Sequence, residues 1–151
     1  MDTMASPKPI LCLTLLFLLF FSPASANTRI STIVKVIHAS TASSHVDPQL
    51  KNISAELNSV FKYTSYRLLN EKQMSLGFNE NGRVSLPGGR TLVVSPTDMP
   101  KNRIRYQINI LKNKKPIFRT QVLLQNNNSI TIGGPQFKNG VLIFNITGRA
   151  Q

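Results

Sequence analysis

The chain has 151 residues, with 18 Lys and Arg against 6 Asp and Glu, a formal net charge of +12 and a single cysteine. A chain of this length can bury roughly two-thirds of its unfolded surface, so one self-sufficient core is expected. One cysteine excludes an internal disulfide framework and a cysteine-built metal centre.

The first 26 residues read as a signal peptide cleaved after Ala26. Lys8 precedes an apolar run over residues 10–21, and Ser22-Pro23-Ala24-Ser25-Ala26 supplies a break and an Ala-x-Ala cleavage signal. A membrane-spanning helix needs about 20 apolar residues, more than this run offers. Cys12 sits early in the run behind Pro9-Ile10-Leu11, whereas a lipoprotein cysteine follows a small residue at the end of its run. The mature chain, residues 27–151, therefore carries no cysteine and is expected to be exported, periplasmic or extracellular.

Its acids are Asp47, Glu56, Glu71, Glu80 and Asp98, and none follows Asp98. Cations dominate beyond that point, and Lys101, Arg103, Arg105, Lys112, Lys114, Lys115 and Arg119 form the candidate binding face. Such an asymmetry attracts anions through a salt-sensitive field. For an exported protein the expected partners are an envelope protein complex or an anionic surface, either lipid headgroups or acidic polysaccharide. No transmembrane helix is expected after cleavage.

In chain order, residues 28–39 alternate Val34 and Val36 against Lys35 and predict a first strand ending near Ile37. Asp47-Pro48 opens a helix, because Asp47 can accept from first-turn amides and Pro48 has no amide to leave unpaired. Leu50, Ile53, Leu57, Val60 and Phe61 then share one face, predicting an amphipathic helix of about four turns. Residues 63–73 read as a strand, with continuation of the helix as the open alternative. Asn81-Gly82 signals a hairpin.

Short runs rich in β-branched residues follow, separated by Pro87-Gly88-Gly89, Pro100-Lys101-Asn102, Asn113-Lys114-Lys115-Pro116, Asn126-Asn127-Asn128 and Gly133-Gly134-Pro135. This spacing predicts an antiparallel meander. Ile104, Tyr106, Ile108 and Ile110 alternate with Arg103, Arg105, Gln107 and Asn109, as in a strand with one buried and one wet face.

Chemistry-bearing motifs are sparse. His38, His45 and Asp47 are the material for a small hydrolase or polysaccharide-acting site, but a stable zinc site takes three or four protein ligands, and Asp47 is already used as a cap. No serine sits in a Gly-x-Ser-x-Gly elbow, and the glycine-rich stretches lack the Lys-Ser/Thr of a phosphate loop. No catalytic residue, cofactor or metal is expected. A single-strand nucleic-acid reading needs exposed aromatics beside cations. Tyr106 and Phe144 instead share apolar phases, so core roles are expected for them. Asn52-Ile53-Ser54, Asn127-Asn128-Ser129 and Asn145-Ile146-Thr147 match the N-glycosylation pattern.

Arg119-Thr120-Gln121-Val122-Leu123-Leu124, the three asparagines and Ser129-Ile130-Thr131-Ile132-Gly133-Gly134 together resemble the strand-turn-strand segment in the core of bacterial secretins. The asparagines stand where that family has a turn glycine, and Pro135 stands where it has Leu. The layout also resembles small exported domains of Gram-negative bacteria, through Val46-Asp47-Pro48, Leu86-Pro87-Gly88-Gly89-Arg90 and Gly133-Gly134-Pro135. Both resemblances imply an envelope location and a role accessory to secretion or surface assembly.

The sequence thus predicts an α+β fold, one amphipathic helix packed on a mainly antiparallel sheet of about seven strands that can curl into a sandwich. The expected function is a non-enzymatic binding or assembly module.

Overall fold

A computed structural model describes residues 27–151, so the expected signal peptide lies outside the described residues. The fold is mostly β, which overturns the α+β expectation. Among the described residues nine strands form two sheets, and the only α-helix has seven residues.

The strands are β1 (Ile30–Ser40), β2 (His45–Val46), β3 (Ser65–Leu76), β4 (Gly82–Leu86), β5 (Arg90–Asp98), β6 (Arg103–Lys112), β7 (Lys115–Gln125), β8 (Asn128–Phe137) and β9 (Gly140–Ala150). The five-stranded sheet runs β2-β3-β1-β9-β8, and the four-stranded sheet runs β4-β5-β6-β7. All neighbours pair antiparallel except the short β2–β3 contact. The predicted meander divides between the sheets: β4 to β7 form the four-stranded sheet, whereas β8 and β9 leave it and join β1. The first and last strands of the described residues meet in the five-stranded sheet, where Ile30 lies opposite Ala150.

The two sheets face each other across one apolar core. β1 contributes Ile30, Val34 and Val36, β5 Leu92 and Val94, β6 Ile104, Tyr106, Ile108 and Ile110, and β9 Leu142, Phe144 and Ile146. The inward phase of β6 is the one its alternation predicts. One buried hydrogen bond crosses the core, between the hydroxyls of Thr32 and Tyr106 at 2.8 Å. Room for the Tyr106 ring comes from Gly148, where a Cβ would lie 2.6 Å from the Tyr106 hydroxyl.

A second apolar cluster covers the other face of β1 and β3. Leu50, Ile53 and Leu57 pack there against Ile37, Ala39, Tyr66 and Ile143. These residues were expected on one four-turn helix. They fall instead on a 3-10 turn, Pro48–Leu50, and a short helix α1, Ser54–Val60. Asp47 does cap the first turn, accepting from the Gln49 amide at 3.2 Å. The helix stops because Phe61 turns extended and Tyr66 takes over its last carbonyls, donating to Leu57 O and Phe61 O at 3.1 Å each. Residues 63–73 lie largely in β3, as the strand reading has it.

Two turn expectations are also corrected. Asn81-Gly82 closes no hairpin, since β3 belongs to one sheet and β4 to the other, and the Ser95 hydroxyl donates to Asn81 Oδ1 just beyond the Gly82–Val94 pair of β4 and β5. Gly133-Gly134-Pro135 is a bulge inside β8. Glycine is needed at position 134 because a Cβ on Gly134 would lie 2.5 Å from the Phe144 ring. The turn into β9 is Lys138-Asn139, with Lys138 at φ 50°. Of the three glycosylation matches, Asn145 is buried and donates to Thr131 Oγ1, so it offers no acceptor in the folded chain.

Burial pushes the Tyr106 phenol from its ordinary 10.0 up to about 12. The folded state thus holds this proton more tightly than the unfolded chain. The associated stability is complete below pH 10 and lost as pH rises toward 12, by at most about 1.4 kcal/mol per pH unit. Denaturant titrations of wild type and Tyr106→Phe across pH 9–12 should show the variant losing stability less steeply. At neutral pH Tyr106→Phe should cost about 1–3 kcal/mol, because Thr32 loses its buried partner. Gly148→Ala should be destabilising by about 1–3 kcal/mol through overpacking against Tyr106 and Ile104, read from the same unfolding curves.

Candidate binding edge

The four-stranded sheet buries one face in the core, while α1 packs on the other sheet, against Ile37, Ala39 and Tyr66. On its outer face, β6 and β7 set Arg103 opposite Gln125, Arg105 opposite Leu123, Gln107 opposite Gln121 and Asn109 opposite Arg119. Hydrogen bonds tie these rows together. Arg119 Nε donates to Asn109 Oδ1 at 3.0 Å, and Gln121 Nε2 to Gln107 Oε1 at 3.0 Å. Asn109 orients the Arg119 guanidinium without neutralising it.

The seven predicted basic residues do not form one patch. Lys101 lies in the turn before β6, with Arg103 and Arg105 at the start of that strand. Arg105 is neutralised by Asp98, Nε to Oδ1 at 3.2 Å. Lys112, Lys114 and Lys115 occupy the far end, roughly 30 Å away at the rise of an extended strand. There Lys112 pairs with Lys115 across a tight turn in which Asn113 and Lys114 both have positive φ. Arg119 lies four residues beyond Lys115 along β7. The other ion pairs among the described residues, Arg29–Glu80 and Lys35–Glu71, leave these four cations uncompensated.

β7 is an edge strand. It pairs with β6 on one side, and β8 on its other side pairs with β9 instead. Ile117, Phe118 and Leu123 are 51%, 42% and 43% exposed, an unusual load of apolar surface for an unpaired strand. Toward the Lys112–Lys115 end the two edges diverge around a groove of about 220 Å³. Its lining is Ile110, Ile117, Phe118, Gly133, Gly134 and Pro135. The β8 bulge supplies one wall of the groove through Gly133, Gly134 and Pro135, and Pro135 has no amide to pair with β7.

The proposed hydrolase residues do not converge. His38 points between the sheets, His45 is exposed on β2, and Asp47 is engaged in capping. Among the described residues, no group of three His, Cys, Asp or Glu side chains could hold a metal. Tyr106 and Phe144 are buried as expected, which removes them as base-stacking platforms. No helix among the described residues is long and apolar enough to cross a membrane.

The cations and the β6 phase were legible in the sequence. The groove was missed because Gly133-Gly134-Pro135 reads as a turn. Its signal was the broken alternation of Lys115-Pro116-Ile117-Phe118-Arg119, which a strand buried on one face does not show. Compared with models of known protein families, with curated proteins and with solved structures, the chain matches none.

Proposed function

We propose that the protein is a non-enzymatic, exported module of the cell envelope, an accessory of a secretion or surface-assembly complex, that captures an acidic extended segment of a partner protein along β7. The observation that carries this reading is an unpaired edge with apolar surface on one side and uncompensated cations on the other.

The pleat dictates what would fit. Phe118, Thr120 and Val122 face the core side of β7, opposite Ile110, Ile108 and Tyr106, while Arg119, Gln121 and Leu123 face outward. A strand added to β7 takes main-chain hydrogen bonds from its open side. Its alternate side chains fall first into the groove beside Phe118 and then over Arg119 and Lys115. An alternation of apolar and acidic residues satisfies both. An antiparallel second copy centred on Ile117 would set Lys115 against Arg119, a register that like charge disfavours.

The test uses a peptide alternating Val or Ile with Glu, and a control in which Lys replaces Glu. The acidic peptide should bind, weaken steeply with added salt, and lose about tenfold or more in affinity to Lys115→Glu/Arg119→Glu. Equal binding of both peptides, or binding unchanged by the charge reversal, would contradict the proposal. So would retention on anionic vesicles or acidic polysaccharide without any binding of the acidic peptide, which would make the basic edge a surface-association site.

A further inference from the structure

A second concavity lies at the opposite edge of the sandwich, where β3 and β4 part, and it has a different chemistry. Its volume is about 650 Å³, within the range of small-molecule sites. One wall is the inward row of β1 beyond the core, where Val36 is followed by His38 and then Ser40. The next wall is β3, with Arg67 opposite His38 and Leu69 as the extra residue of a bulge that pushes the strand outward. The β4–β5 turn closes the far side with Pro87, and the β8–β9 turn closes the end with Phe137 and Lys138.

Three observations point to a ligand. First, Arg67 and Lys138 line the cleft, no carboxylate does, and neither cation joins any of the ion pairs found among the described residues. Second, His38 Nε2 is buried with no hydrogen-bond partner. Such an atom is costly to leave unsatisfied, a cost that a ligand oxygen would remove. Third, the apolar lining is aromatic where it meets the charges. The Phe137 ring stands edge-on to His38, centroids 5.2 Å apart at 77°, and Lys138 Nζ lies 5.4 Å from its centroid.

The walls are braced from both sheets. Asn70 Nδ2 donates to Ser85 O at 3.5 Å across the gap between β3 and β4. Arg90 donates to Pro87 O at 3.0 Å through Nε and to Gln136 O at 3.4 Å, tying both turns together. The cleft therefore exists before any ligand arrives, and binding does not have to order it.

We infer that this cleft binds a small amphiphilic anion, a carboxylate or phosphate head on an apolar body. Arg67 and Lys138 hold the head, His38 Nε2 completes its hydrogen bonding, and the body lies along Leu69, Pro87 and Phe137. The site is independent of the strand-capture edge, from which it shares no residue.

The probes are octanoate and octyl phosphate, with octanol and octylamine as controls, followed by NMR of the mature protein with its imidazole and guanidinium nitrogens observed. Both anions should shift the His38 and Arg67 signals at saturable concentrations, and the controls should not. Arg67→Gln/Lys138→Gln should weaken binding by about tenfold or more without altering the backbone spectrum, since both side chains are exposed. Lys115→Glu/Arg119→Glu should leave it unchanged. Vesicles of phosphatidylglycerol that compete with octyl phosphate for the same residues would identify a lipid headgroup as the source of the anion. Vesicles that do not compete would identify a free organic anion. Octanol binding as well as octanoate, or anions leaving His38 and Arg67 unshifted, would overturn the inference.

Discussion

The constraint on which the structure depends is the burial of β1 on both faces. Ile30, Val34 and Val36 face the core between the sheets, while Ile37 and Ala39 face the cluster beneath α1. A strand in that position must have neighbours on both edges, and β3 and β9 supply them. The rest follows from satisfying this one segment. The helical residues are short because they need only cover the part of β1 and β3 that no sheet covers. The C-terminal strand must return across the whole molecule to reach the open edge of β1. The Thr32–Tyr106 hydrogen bond then fixes how the second sheet sits upon it.

Closing a sandwich around a central strand leaves its edges open, and here the two open sides differ in chemistry. Where β7 and β8 diverge, apolar side chains lie exposed next to uncompensated cations, on a strand whose backbone can still pair. Where β3 and β4 diverge, the inward row of β1 runs past the core and ends in His38 and Ser40 rather than in more apolar residues. The first side suits an extended chain and the second a small anion. Both uses rest on cations that the core does not need, so charge can vary there without cost to the fold.

How far the sequence could be read tracks how local each determinant is. The alternation of Ile104, Tyr106, Ile108 and Ile110 is a property of one strand, and it appears in the structure unchanged. So do the turns at Pro87-Gly88-Gly89 and Asn113-Lys114. The spacing of Leu50, Ile53 and Leu57 shows that they share a face but says nothing of whether one helix joins them, and this produced the α+β expectation. Asn81-Gly82 and Gly133-Gly134-Pro135 look like hairpin turns by composition. Their conformations are set by partners distant in the chain, Ser95 and the Phe144 ring. The cleft was half visible: His38 continues the phase of Val34 and Val36. That Arg67 and Lys138 would stand beside it depends on a bulge in β3 and a turn far along the chain, which no local pattern encodes.

The central claim is that β7 accepts an added strand, and backbone amide hydrogen exchange of β7 tests it most directly. In the free protein the alternate β7 amides that point away from β6 should exchange rapidly. With an acidic extended segment bound, those amides should become protected while the β5–β6 amides, already paired, change little. Binding that left the β7 amides as fast as before would show that the cations attract the partner without any strand being added, and the account would fail at that point.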